Sequence, residues 1–250
     1  MQLNDLPINK HLLRAISEKN YLNPTPIQTQ AIPLILDGID IIATAQTGTG
    51  KTAAFALPIL ERLFHKQNTA KKGRKIKALI VSPTRELALQ IEESFKSYGK
   101  YTNLRSAVIF GGTSMEPQKE VLQKGVDVLV ATPGRLLDLH KQDCVHLDDV
   151  ETLVLDEADL MLDMGFIDDV RKVAKLCPKE RQTLMFSATM PDKVIELAET
   201  LLKDPKTIHV SVPSSTAKTI SQQLFYVPKP KKIELCLHLL RNTIKGNILI

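Results

Sequence analysis

Seven short apolar runs rich in β-branched residues recur along the chain: IDIIAT (39–44), KALIVS (77–82), SAVIF (106–110), VDVLVA (126–131), TLVLD (152–156), TLMFSA (183–188) and TIHVSV (207–212). Helix-length amphipathic segments separate most of them. A strand that is apolar throughout has to be covered on both faces. The alternation therefore predicts an α/β fold with a mostly parallel central sheet flanked by helices on both faces. In one such helix, TRELALQIEESFKSYGK (84–100), Leu87, Leu89, Ile91 and Phe95 are expected to supply the apolar positions. No internal repeat is present.

The chain is 250 residues long, enough for one large domain or a domain with part of another. No apolar stretch reaches the roughly 18 residues a membrane span needs. The amino terminus, MQLNDLPINK, lacks the basic-then-apolar pattern of a secretory signal. Cys144, Cys177 and Cys236 are widely spaced and odd in number, which suits free thiols in a cytoplasmic protein. His140, His146 and His238 have no clustered ligands, and no metal role is expected of them. The net charge is +5, but KQNTAKKGRKIK (66–77) holds six cations and no acid; without those six the remainder carries −1. The surplus sits in one expected connector, so composition alone does not indicate a nucleic-acid binder.

Beyond residue 208 the pattern changes. Residues 209–219, with the small polar stretch VPSSTAKT, are expected to form a linker. From 220 to 250 a strand-like SQQLFYV, a helical KIELCLHLLRNTI and an apolar NILI suggest the start of a second domain, cut within it.

IDIIAT runs directly into AQTGTGKT (45–52) and then into a helix-forming segment. Gly48 and Gly50 allow a turn whose successive N–H groups converge on one anion, and the following helix adds its positive end there. Residues Ala45, Gln46, Thr47, Gly48, Thr49, Gly50, Lys51 and Thr52 thus form a candidate phosphate cradle. Lys51 would reach the β- and γ-phosphates and the Thr52 hydroxyl would bind Mg²⁺. Ala45 stands where the general pattern has glycine. A glycine-rich turn that binds nothing is the plainer alternative, but its place between strand and helix favours phosphate.

VLDEADLM (154–161) puts Asp156, Glu157 and Asp159 within four positions, where like charges raise one another's pKa. If the strand ending at Asp156 lies beside the phosphate-loop strand, Asp156 comes close to a nucleotide-bound Mg²⁺, a cation that favours oxygen ligands. Glu157 is placed to orient or deprotonate an attacking water. The alternative is that these acids merely complement the start of the next helix. The hydrophobic group Leu160, Met161, Leu162, Met164 and Phe166 is expected in the core.

Asp156 to Asp159 spell DEAD, and with AQTGTGKT they resemble the DEAD-box RNA helicases, superfamily-2 P-loop ATPases. PTPIQ (24–28), PTRELA (83–88), GG (111–112), TPGR (132–135) and SAT (187–189) follow the family's order over residues 1 to about 208. The resemblance implies a RecA-like ATP-binding lobe over 1–208, most similar to bacterial members, with a second such lobe beginning near 220. It implies that Gln28 reads the adenine edge, with Thr25 and the Tyr21 region framing the base. Leu3 replaces the usual stacking aromatic and Asn20 the usual glycine, so Leu3→Phe is expected to tighten ADP binding. Asp159, Ser187 and Thr189 are implied to couple nucleotide state to RNA, although Ser187 and Thr189 could also simply cap the next helix.

The same resemblance assigns Arg85, Gly112, Thr132 and Arg135 to the RNA backbone, with little sequence preference. It implies ATP and Mg²⁺ as cofactors and RNA as partner, with unwinding of short duplexes once a second lobe closes on the first. This stretch by itself is expected to be nearly inactive. A nucleotide-gated RNA-binding module without turnover is an alternative, opposed by retention of both Lys51 and Glu157. A DNA translocase or protein-remodelling ATPase is another, opposed by PTPIQ together with DEAD.

Overall fold

The computed structural model describes residues 7–19, 23–46, 48–66, 74–210, 223–242 and 246. The chain divides into two units, 1–212 and 213–250. In chain order the first contains α1 (Lys10–Ser17), α2 (Pro26–Leu36), β1 (Ile41–Thr44), α3 (Lys51–His65), β2 (Ala78–Val81), α4 (Arg85–Tyr98), β3 (Ser106–Ile109) and α5 (Glu116–Gln123). It continues with β4 (Val128–Ala131), α6 (Pro133–Lys141), β5 (Thr152–Leu155), α7 (Ala158–Asp163), α8 (Ile167–Leu176), β6 (Gln182–Ser187), α9 (Asp192–Leu201) and β7 (Lys206–His209). In the second unit the described residues form α10 (Lys232–Asn242) after a short 3₁₀ turn. Residues 223–227 of the expected strand are irregular instead, and the expected strand at 247–250 lies outside the described residues.

Each of the seven apolar runs contributes a strand to one sheet, ordered β3-β4-β2-β5-β6-β1-β7, and every pairing is parallel. Alternate residues along each strand enter two separate hydrophobic clusters. Ala43, Ile80, Val130, Val154 and Phe186 pack on one face against Leu12, Ile32, Phe55 and Phe95 from α1 to α4. Val81, Ala131, Leu153 and Met185 pack on the other against Leu136, Val170 and Leu197 from α6, α8 and α9.

Strand order accounts for this division. The chain crosses the sheet in one direction from β1 through β2 to β3, then returns through β4, β5 and β6 to β7. Right-handed crossovers put the connecting helix on a face set by the direction of travel, so reversing direction switches faces.

Two sequence expectations are corrected here. The strand carrying Asp156 is not beside the phosphate-loop strand, because β6 pairs with both and lies between them. Apolar runs identify buried strands but say nothing of their order. On α4 the buried face is Ala88, Ile91, Glu92, Phe95 and Tyr98, with Leu89 exposed. The polar Glu92 sits inside because Lys96 Nζ lies 2.8 Å from its carboxylate and Ser106 Oγ also donates to it.

Of the expected core group after the acids, only Met161 is fully buried. Leu162 and Phe166 are partly buried, while Leu160 and Met164 are exposed. The described ends of the basic connector are neutralised locally. Lys66 pairs with Glu151 at 2.6 Å, Lys75 with Asp149 at 2.8 Å, and Arg74 with Asp127. The expected linker at 209–219 falls outside the described residues from 211 onward. Cys144, Cys177 and Cys236 are free thiols. Among the described residues no helix is long and apolar enough to cross a membrane.

Candidate functional site

In an all-parallel sheet every strand ends on the same edge, so the loops after the strands form one surface. Along it the candidate residues sort by strand order. The loops after β1, β5 and β6 carry AQTGTGKT, the acids and SAT; those after β2, β3 and β4 carry Arg85, Gly112 and the pair Thr132 and Arg135. The connection leaving β1 goes to one face and those leaving β5 and β6 to the other, which opens a crevice at this edge. Open α/β sheets bind ligands at such a switch point.

Gly48 and Gly50 have φ of 85° and 91°, the left-handed conformation the phosphate turn requires. Gly50 caps α3, whose first residue is Lys51 and second is the half-buried Thr52. The turn is tied internally by Thr49 Oγ1 donating to Gln46 O at 2.7 Å. It is tied to the sheet by Ala45 N–H donating to Ser187 O at 3.0 Å.

Across the crevice, Lys51 Nζ lies 2.8 Å from Glu157 Oε1, and both side chains are buried. Two segments 106 positions apart in the chain therefore meet through a charged contact. Glu157 adopts φ 54° and ψ 54°, a left-handed conformation rare for a residue with a side chain. It turns the chain sharply from β5 into α7.

Asp156, at the end of β5, is buried, and its Oδ1 has no hydrogen-bond partner among the described residues. Burial pushes its carboxyl up to about 7, with Lys51 pulling it down and Glu157 adding to the rise. A buried carboxylate oxygen without a donor, beside a second carboxylate and within the influence of Lys51 at the start of α3, suits a hard divalent cation such as Mg²⁺.

The third acidic residue of the motif, Asp159, is bound to SAT. Asp159 Oδ2 accepts from Thr189 N–H at 2.8 Å and from Thr189 Oγ1 at 2.9 Å; the Asp159 N–H donates to Ser187 Oγ at 3.0 Å. Partial burial pushes the Asp159 carboxyl up, but the hydrogen bonds from Thr189 and Ser187 outweigh it and hold it below its ordinary value. With the Ala45–Ser187 bond, the phosphate turn, SAT and Asp159 form one connected network.

Gln28, the expected adenine reader, is buried against the phosphate turn. Its Oε1 accepts from Thr25 N–H at 3.0 Å and its Nε2 donates to Gly50 O at 3.2 Å. Thr25 Oγ1 is buried with no partner among the described residues. Leu3, Asn20, Tyr21 and Thr47 lie outside the described residues.

On the other half of the edge, the Arg85 guanidinium lies 4.8 Å from the centre of the Phe110 ring. Gly112 is exposed with φ 78°. Thr132 donates its N–H to Ile109 O at 3.1 Å and leads into α6. Arg135, expected at the RNA backbone, is only 7% exposed; its Nη2 donates to Thr113 O at 2.8 Å and its Nη1 has no partner among the described residues. Sequence reasoning missed Phe110, Thr113 and Gln118, which carry no motif signal. The one hint was a glutamine six positions after a Gly-Gly pair, and that alone is too common to single out.

Comparisons with known proteins agree with this fold. Residues 25–197 match the family model described as DEAD/DEAH box helicase. The DEAD-box ATP-dependent RNA helicase RhpA of Helicobacter pylori is 42% identical over 95% of this chain and 47% of its own length. CshA of Streptococcus pneumoniae, described in the same words, is 41% identical over 94% of this chain and 44% of its own. The chain thus spans a little under half the length of these relatives. The crystal structure of a DEAD box protein from Methanococcus jannaschii superposes with a TM-score of 0.79 at 38% identity, covering 97% of this chain and 64% of that one. With its phosphate turn and its DEAD acids joined across one crevice, this chain belongs to the DEAD/DEAH box helicase family.

Proposed function

We propose that this chain is the nucleotide- and RNA-binding lobe of an ATP-dependent RNA helicase, completed by a second RecA-like lobe that begins near residue 220. The observation that carries the reading is the buried Lys51–Glu157 contact, which brings a phosphate-binding lysine and a candidate base to one point.

In this reading the N–H groups of the turn through Gly48 and Gly50, with Lys51, hold the phosphates. Gln28 and Thr25, with Tyr21, select adenine. Thr52 and Asp156 would hold Mg²⁺, which would neutralise charge on the phosphates. Glu157 accepts a proton from the water whose oxygen bonds to the γ-phosphorus as ADP departs. To do so it first gives up Lys51, which moves to the phosphates.

Asp159, held by Thr189 and Ser187, carries the nucleotide state to the neighbouring loops. Arg85, Gly112, Thr132 and Arg135 serve the RNA backbone; backbone contacts imply little sequence preference, and 2′-hydroxyl contacts favour RNA over DNA. The second lobe supplies further ATP contacts, so the lobe alone hydrolyses little.

The test titrates the chain with MgADP by calorimetry and with fluorescent single-stranded RNA and DNA of one sequence by anisotropy. Magnesium-dependent ADP binding that Lys51→Ala abolishes, with RNA preferred over DNA, is expected. DNA bound as tightly as RNA favours a DNA-directed motor instead, and duplex unwinding by these 250 residues alone refutes the need for a second lobe.

A further inference from the structure

The RNA half of the edge is built around a turn, residues 110–114 (FGGTS), whose two adjacent glycines give it little intrinsic order. It leaves β3, which among the described residues pairs only with β4 and so forms one margin of the sheet. On a parallel strand, successive residues point their backbone N–H and C=O groups to opposite sides. Ile109 O bonds inward to Thr132 N–H, so the polar groups of Phe110 face the open margin.

One side chain satisfies them. Gln118, on α5, accepts from Phe110 N–H through Oε1 at 3.0 Å, and its Nε2 lies 3.3 Å from Phe110 O. The same Nε2 reaches Thr113 Oγ1 at 3.2 Å and Ser114 O at 3.0 Å. The amide orientation follows from chemistry, since the oxygen meets a donor and the nitrogen meets carbonyls that only accept. A primary amide has the donor and acceptor of a peptide group, so Gln118 stands in for a missing neighbouring strand at Phe110 and closes the turn at 113–114.

Two candidate RNA contacts depend on what Gln118 holds. Gly112 lies inside the turn, and the Phe110 ring carries the Arg85 guanidinium. Arg135 also binds this turn, at Thr113 O. We infer that Gln118 is a positioning residue for RNA: it orders the 110–114 turn, and through Phe110 the Arg85 side chain, so that both meet the sugar-phosphate backbone without an ordering cost at binding. This rests on the RNA-binding reading above.

The test substitutes Gln118→Met, similar in size but unable to make these bonds, in the chain as it stands. Single-stranded RNA affinity is expected to fall about tenfold, the scale of a few lost hydrogen bonds and newly freed backbone. ADP affinity is expected to stay unchanged. Hydrogen exchange at the Phe110 amide, without RNA, is expected to speed up. No cation is removed, so the slope of log affinity against log salt stays that of the wild type, whereas Arg85→Ala lowers it by about one phosphate contact.

If Gln118→Met does not fold, Thr113→Val, which removes one of the acceptors, is expected to give a roughly two- to threefold loss. RNA affinity or Phe110 exchange as in the wild type, with Arg85→Ala weakened as expected, overturns the role of Gln118 and leaves the RNA reading in place. Failure of the wild type to bind RNA, or Arg85→Ala binding as tightly as the wild type, removes the RNA reading and this inference together.

Discussion

Replacing Glu157 by glutamine separates two consequences of the crevice contact. The Lys51 and Glu157 side chains are 6% and 10% exposed, so neither charge is well solvated. Removing one partner of a buried ion pair costs about 3–5 kcal/mol when the other charge is left alone. Here the amide keeps an acceptor oxygen, and Asp156 remains close enough for its carboxyl to feel Lys51. Glutamine also occupies the same left-handed backbone at a similar cost, so no strain is relieved. The expected loss of stability without nucleotide is therefore below that range, about 2 kcal/mol. Nucleotide binding moves the opposite way. On the proposed reading Lys51 must leave a carboxylate to reach a phosphate, and the variant has no such competitor; MgADP is expected to bind roughly tenfold tighter, about 1.4 kcal/mol. Urea denaturation measures the first effect and calorimetry the second, and ADP keeps the γ-phosphate out of the comparison. A double-mutant cycle with Lys51→Met isolates the pair itself. If Glu157→Gln matches the wild type in both stability and ADP affinity, the contact has no energetic weight and the competition does not exist.

Thr189→Val removes one of two bonds from Thr189 to Asp159 Oδ2 and leaves the backbone N–H in place. A loss of about 1 kcal/mol in urea denaturation is expected, with ADP affinity retained and the effect of nucleotide on RNA affinity, measured by anisotropy, reduced. Asn9→Ala deletes the acceptor for the His11 and Leu12 N–H groups that begin α1, and the bond from Asn9 Nδ2 to Glu61. It is expected to cost about 1–2 kcal/mol in denaturation with nucleotide binding intact. Lys77→Met removes a shared partner of Asp149 and Glu151. Burial pushes Glu151 up, but Lys66 and Lys77 together hold it below its ordinary value; Lys75 and Lys77 do the same for Asp149. Depressed carboxylates stabilise the fold above their unfolded pKa and lose that contribution as pH falls through the folded one. The variant is therefore expected to unfold at a higher pH in an acid titration followed by circular dichroism.

The strands and the phosphate turn were legible because each depends on local chemistry. An apolar β-branched run signals burial wherever it lies, and Gly48 and Gly50 permit backbone angles that other residues resist. The buried face of α4 was less legible, because Glu92 is inside only through Lys96 and Ser106. Ser106 belongs to β3, and nothing in the helix sequence announces that partner. The burial of Arg135 was illegible for the same reason, since its acceptor is a backbone carbonyl in another loop. Gln118 is the clearest case: its partners are mostly main-chain groups at a sheet margin, and sequence does not reveal which strand is marginal.

Strand order was the largest missing piece, and it explains how Lys51 and Glu157 meet although their strands are not adjacent. The expectation set β5 beside β1; the sheet inserts β6 between them. A direct neighbour would leave SAT no place in the site. With β6 in the middle, Ser187 lies in register with Thr44 at the end of the phosphate-loop strand and accepts from Ala45, while Thr189 holds Asp159 on the far side. The intervening strand is thus a physical link between the lobe's phosphate turn and its acids. On that basis Ser187→Ala, which deletes the acceptor for the Asp159 N–H while sparing the Ala45 bond to Ser187 O, is expected to loosen Asp159 and leave the phosphate turn ordered. Amide exchange faster at Asp159 and unchanged at Ala45 supports that division; faster exchange at both, or at neither, refutes it.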